Sequence, residues 1–206
     1  MSKATATAQA PGAASMERLP PGRHGLPREQ VRESQRRRLT AAATATLAER
    51  GYGQITVTAI AQRAGVSTSS FYKHFEDLWA CVLAAYEEGA KRLGERIESA
   101  RGDAEGADRV RAAVAAALAL LTTEPALAQL LSGDPPSQVG ALWTARRDLT
   151  SRLAAMLRDA RGGQGDGERE QRLIGAAIAV VSLRAGDRAA RLADLAPALA
   201  DLLLAP

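Results

Sequence analysis

Residues 55–75 constrain the fold more than any other part of the chain, because they prescribe two short helices and the angle between them. Thr56 is an N-cap residue and opens a helix over Val57–Ala64, on which Val57, Ile60, Ala61 and Ala64 share one face. Gly65 follows where the chain needs a left-handed residue, a conformation that costs glycine little. Val66 plugs the angle, and Ser67 caps a second helix predicted over residues 68–75. Phe71 and Phe75, four apart, share the buried side of that helix. Ser69 and Lys73 project to the opposite side, with Tyr72 and His74 on the flanks. Small polar residues opposite a buried aromatic pair suit a helix lying in a major groove. The free N–H groups at its start suit a phosphate. On spacing alone, an ordinary helical hairpin fits the same pattern.

Composition points to an all-α chain. The sequence is rich in Ala, Leu and Arg, which favour helix, and only 3% aromatic. At 206 residues it can hold one sizeable core, or a small domain joined to a larger one. Charge is uneven. Residues 1–80 carry 11 Lys and Arg against 6 Asp and Glu, whereas residues 81–206 carry 16 against 17. The basic half is the one that holds the two-helix segment, as expected of a protein that docks one end on phosphate.

The string Ile60-Ala61-Gln62-Arg63-Ala64-Gly65-Val66-Ser67, followed by Phe71-Tyr72-Lys73-His74-Phe75, resembles the DNA-binding region of the TetR/AcrR family of bacterial repressors. The likeness runs from about Arg37 to Tyr86 and includes Glu49-Arg50-Gly51-Tyr52-Gly53 before the motif. It implies a three-helix helix-turn-helix domain over residues 28–77 and a helical ligand-binding and dimerisation domain over residues 78–206, joined by a linking helix over residues 78–100. It also implies a double-stranded DNA operator, a homodimer, and release by a small-molecule effector of unspecified identity. Carried over position by position, Thr58, Thr68, Ser69 and Lys73 fall where the family touches bases or the groove, Ser67 caps beside them, and Tyr72 and His74 fall where it grips phosphates. Serine and threonine hydroxyls can serve either bases or phosphates. For Thr58 packing and DNA contact are equally compatible, and His74 can equally cap or pack locally. One departure stands out. Leu78 and Trp79 replace the family's lysine and acidic residue, which removes one backbone contact and implies a shallower salt dependence. It also leaves open an alternative: a helical protein-interaction adaptor with a weakened DNA-binding head.

Upstream, residues 1–27 read as a disordered N-terminal arm. Arg23, in its Pro-rich final stretch, fits either a minor-groove contact or a solvated tail. The first helix is predicted over Arg28–Arg50, with Leu39, Ala42, Ala43 and Leu47 as its apolar stripe. Its early arginines, Arg32, Arg36, Arg37 and Arg38, lie either near phosphate or on a solvated face.

The second half reads as further helices over residues 108–122, 124–131, 138–160, 168–185 and 188–204, with Pro197 kinking or delaying the last. Tyr86, Leu118, Leu121, Trp143 and Met156 are the candidates to line a ligand pocket, plain core being the other reading of the same spacing. No charged cluster selects a ligand, although Arg146, Arg147 and Glu124 could meet a polar or anionic one. In TetR-like proteins the last two long helices pair with their twins. On that resemblance Leu173, Ile174, Ile178, Val181, Leu195, Leu199 and Leu202 are the dimer candidates, an intrachain core being the alternative for some.

No cofactor or metal is implied. The two histidines, His24 and His74, belong to no metal-ligand cluster, and no phosphate loop or nucleophile–base pair is recognisable, which argues against an enzyme. The apolar runs are too short for a membrane span. No signal-peptide core is evident, and the single cysteine, Cys81, fits a reducing cytoplasm. Cys81 reads as a packed helix residue or a redox sensor.

Overall fold

The computed structural model describes residues 28–163, 167–185, 187 and 191–205; the N-terminal arm, Arg23 within it, and residues 188–190 at the predicted start of the last helix lie outside them. Among these residues the chain is all-α, without a strand. The helices are α1 (Arg28–Arg50), α2 (Val57–Ala64), α3 (Thr68–Phe71), α4 (Leu78–Arg101), α5 (Gly106–Thr123), α6 (Pro125–Ser132), α7 (Gly140–Ala160), α8 (Glu168–Ala185) and α9 (Ala196–Leu204).

Local chemistry sets most of the boundaries. Asp77 opens α4 by accepting from the Ala80 N–H at 2.7 Å. Gly102, at φ 45°, ends it. Pro125 sits in the first turn of α6, where its missing N–H costs nothing. Pro197 does the same for α9, so the predicted single helix over 188–204 is instead a 3-10 turn, Leu192–Leu195, leading into a shorter α-helix.

Packing follows the apolar stripes. Leu39, Ala42, Ala43 and Leu47 of α1 are buried, and α1 lies against α2, α4 and α6. Helix α4 leaves this cluster and crosses α5, α6 and α7. It approaches α6 closely at Gly89, where a Cβ would lie 2.5 Å from Leu127 Cδ1. Cys81 is fully buried, its thiol directed at the Leu39 carbonyl at 3.8 Å, and burial pushes its pKa up to about 12. A thiol in that state is inert, which disposes of the redox-sensor reading.

Helices α8 and α9 carry the dimer candidates in two settings within the single chain. Ile174, Val181 and Leu199 are buried in the chain's own core, and together with the half-buried Ile178 they wall an internal cavity. Side chains already removed from water have little left to bury against a second copy. Leu173, Leu195 and Leu202 are half-buried against the same core. Leu183, 81% exposed, is the large apolar residue that α8 presents outward. Among the described residues no single helix is long and apolar enough to cross a membrane.

Candidate nucleic-acid interface and internal cavity

The two-helix segment folds as its capping residues dictate. Thr56 Oγ1 accepts from the Ala59 N–H at 3.2 Å. Gly65 closes α2 at φ 64°, ψ 39°, and the Gly65 and Val66 N–H groups donate to the Gln62 and Ala61 carbonyls, each at 3.0 Å. Ser67 Oγ then accepts from the Ser70 N–H at 3.0 Å. Helix α3 is shorter than predicted, ending at Phe71 rather than residue 75. Lys73 and His74 donate to the carbonyls three residues back, Ser70 and Phe71, which tightens the last turn. Phe71 and Phe75 still share the buried side, ring centroids 5.7 Å apart, because the tight turn preserves their common direction.

Opposite them lies an exposed polar surface. Thr58, Ser67, Thr68, Ser69 and Lys73 are all exposed, and Tyr72, set edge-on to Phe71, is 58% exposed. The structure thus leaves all six predicted residues open to solvent on the α2–α3 unit. His74 is placed differently. It is half-buried, and its Nε2 lies 3.0 Å from Gln35 Oε1 on α1. Burial, and then the cationic Arg32, Arg36 and Lys73, hold its pKa below the ordinary value.

Two arginines read from sequence as phosphate-seeking or solvated have a structural task. Arg36 lies over the Phe75 ring, 4.5 Å from its centroid, and donates to the His74 carbonyl at 3.3 Å. Arg38 donates to the carbonyls of Ala64 and Gly65, so that one guanidinium closes the end of α2. Arg63 pairs with Glu49 on the far end of α1. The sequence signal for these roles is weak, since an arginine run says nothing about which members turn inward. Leu78 and Trp79, the departure that motivated an adaptor reading, are half-buried and pack on the core at the start of α4, so neither offers a free docking surface.

A second feature is a partly open cavity of about 150 Å³ walled by α4 to α9. Its lining is almost wholly apolar. Of the sequence-selected pocket candidates, Leu118, Leu121 and Met156 line it. Tyr86 and Trp143 do not. Tyr86 is sealed between α4 and α7 with its hydroxyl unpaired and its pKa raised by burial to about 12. Trp143 stands on the outer side of α7, 36% exposed, its indole N–H donating to the Pro136 carbonyl at 3.2 Å. Helical spacing identified both as apolar positions but could not say which side of the packed layer each faced. Arg146 is occupied by the Ser132 and Gly133 carbonyls and Asp134, and Glu124 pairs with Arg92. Sequence reading missed Arg101 and Arg109, the charged residues in the cavity wall.

Residues 39–85 match the profile of bacterial regulatory proteins of the tetR family. Solved structures share the fold. The fatty acid degradation regulator FadR from Bacillus halodurans superposes with a TM-score of 0.72 at 21% identity, over 82% of this chain and 94% of that one. The transcriptional regulator FadR from Bacillus subtilis, solved in complex with stearoyl-CoA, gives 0.67 at 20% identity, over 82% and 97%. A TetR-like transcriptional regulator from Rhodococcus sp. RHA1 gives 0.66 at 24% identity, over 86% and 96%.

Proposed function

We propose that this chain, whose residues 39–85 match the tetR family of bacterial regulatory proteins, is a DNA-binding repressor in the cytoplasm, acting as a homodimer on a palindromic operator. The observation that carries the reading is the exposed surface of Thr58, Ser67, Thr68, Ser69, Tyr72 and Lys73, held in fixed orientation by the Gly65 turn and the Phe71–Phe75 anchor. In this reading the hydroxyls and Lys73 meet base edges and phosphates, while Tyr72 grips the backbone. Residues 28–77 add eight Lys and Arg against five Asp and Glu, a modest cationic bias toward phosphate. Two such heads require half-sites about 34–36 Å apart, or a related spacing. The dimer would use the outer side of α8 around Leu183, and not the inward-facing Ile174, Val181 and Leu199.

Release would be driven through the cavity. An apolar space of about 150 Å³ admits a guest of roughly benzene's size. A larger molecule must spread the lining helices, and two of these, α4 and α6, also pack on α1. Effector binding then favours the spread state by the difference in its affinity for the two. That the related Bacillus subtilis protein was solved with stearoyl-CoA supports an apolar effector here.

The test is selection of bound fragments from random duplex DNA, followed by footprinting. A palindromic motif protected on both halves is the expected result. Recovery of DNA without a common motif would end the sequence-specific reading.

A further inference from the structure

The cavity has one polar end. Arg101, on the last turn of α4, is 8% exposed, and its guanidinium bonds Glu98 Oε1 at 2.6 Å and Asp159 Oδ2 at 2.7 Å. Arg109, near the start of α5, reaches the same Asp159 oxygen at 3.2 Å, and its Nε is buried with no hydrogen-bond partner. One carboxylate oxygen on α7 thus serves two guanidiniums from two other helices, and Arg109 is under-satisfied.

Arg109 also stands at a junction. It lines the internal cavity, and it lines a surface cleft that includes Glu105, Asp159, Ala160, Arg161 and Gly162; Ala160 is likewise common to both. The cleft therefore adjoins the cavity, and the arginines lie at the junction, where the trailing end of a molecule entering by the cleft would come to rest. Arg161 is already used, donating to the Leu203 carbonyl at 2.7 Å and to that of Ala205 at 3.2 Å, and lies 4.0 Å from Glu170. Among the described residues of the two linings, Arg101 and Arg109 are the other cations, both paired with Asp159.

We infer that the effector is an apolar chain ending in an oxyanion, its chain in the cavity and its anion taken by Arg109 and Arg101 in place of Asp159. This deepens the proposal of a ligand-released regulator and rests on it. The exchange suits the chemistry. A buried guanidinium needs an anion, and Asp159, whose side chain is 65% exposed, can turn to water when the newcomer arrives. An oxyanion also gives Arg109 a second acceptor, in the charge-assisted geometry that guanidinium favours. The exchange cuts the tie between the end of α4 and α7, so occupancy is signalled to the helix whose other end meets α1. The shared chemistry has two sources, a fatty acid carboxylate and the phosphates of an acyl-coenzyme A.

The experiment is calorimetric titration of the full chain with decanoate, decanoyl-coenzyme A and decan-1-ol, using wild type, Arg109→Gln and Asp159→Asn, with thermal melts to show each variant folded. The acid, the thioester or both should bind at least tenfold more tightly than the alcohol, and which of them does identifies the source. Arg109→Gln should weaken the anionic ligand about tenfold and leave the alcohol unchanged. Asp159→Asn, which removes the competing carboxylate, should tighten the anionic ligand severalfold. Equal affinity for alcohol and anions in the wild type would overturn anion capture while leaving an apolar effector intact. Binding of none of the three would overturn both. If Arg109→Gln does not fold, Asp159→Asn decides by itself: unchanged or weaker anion binding refutes the exchange.

Discussion

Tyr52 reaches from the turn after α1 to α6, where its hydroxyl donates to the Leu130 carbonyl at 3.2 Å. Leu131 and Ser132, the next residues along, line the cavity. Arg146 of α7 closes the same corner by donating to the Ser132 carbonyl at 3.3 Å and to that of Gly133. Burial holds the Tyr52 phenol above its ordinary pKa, so it stays a donor throughout the working range. This hydrogen bond, beside the packing of α1 on α6, links the turn after α1 to the wall of the cavity.

Tyr52→Phe should remove that link and leave the packing. The expected loss is about 1 kcal/mol of stability, the usual net worth of one such bond. The more telling result is a smaller ratio of operator affinities without and with effector, because α6 would no longer pull on the turn. Denaturant unfolding reads the first effect and fluorescence anisotropy with labelled operator the second. An unchanged ratio would exclude Tyr52 from the transmission route.

Arg38→Ala should loosen the helix-turn-helix itself. The guanidinium that closes the Ala64 and Gly65 carbonyls is lost, and bonds from a charged donor are worth about 1.5–3 kcal/mol. Arg38→Lys should recover only part of this, since an ammonium lacks the planar fork. Hydrogen exchange locates the effect. Amides of residues 57–71 should lose protection in Arg38→Ala while those of α7 keep theirs.

The sequence disclosed this region well because its determinants are local. Thr56, Gly65 and Ser67 act on backbone groups within three or four residues, so their spacing alone predicts their bonds. What could not be read were relationships between distant segments. The inward turn of Arg36 and Arg38 depends on where α2 and α3 land on α1. Trp143 and Tyr86 share an apolar label with Met156, yet only Met156 faces the cavity, since periodicity reports that a side is buried without saying against what. The same ambiguity covers Ile174 and Leu199, whose apolar spacing did not foretell that they wall the cavity within the single chain.

His74 makes stability depend on pH in a predictable sense. Its folded pKa lies below the unfolded value of 6.5, first through burial and then through Arg32, Arg36 and Lys73. The unfolded chain therefore binds more protons in this range, and stability rises with pH. The contribution is complete above pH 6.5 and is lost as pH falls through the folded pKa. Melting points taken from pH 8 downward should decline once pH passes below about 6.5, and His74→Gln, which keeps a partner for Gln35, should flatten that decline. An identical pH profile in the variant would show that other groups produce it.

Lys73→Ala separates DNA contact from folding. The side chain is exposed, and no ion pair holds it among the described residues, so stability should change by no more than about 0.5 kcal/mol. If Lys73 meets a phosphate, affinity should fall similarly on all sequences, and the slope of log K against log salt should become shallower by about one. If it meets a guanine edge, the loss should instead concentrate on operators carrying guanine at one position, about 1–3 kcal/mol relative to the substituted site. Titrations of operator and scrambled duplex at two salt concentrations distinguish these outcomes. A variant that binds both duplexes as the wild type does would remove Lys73 from the interface and shift the weight of recognition to Tyr72 and the hydroxyls of Thr58, Thr68 and Ser69.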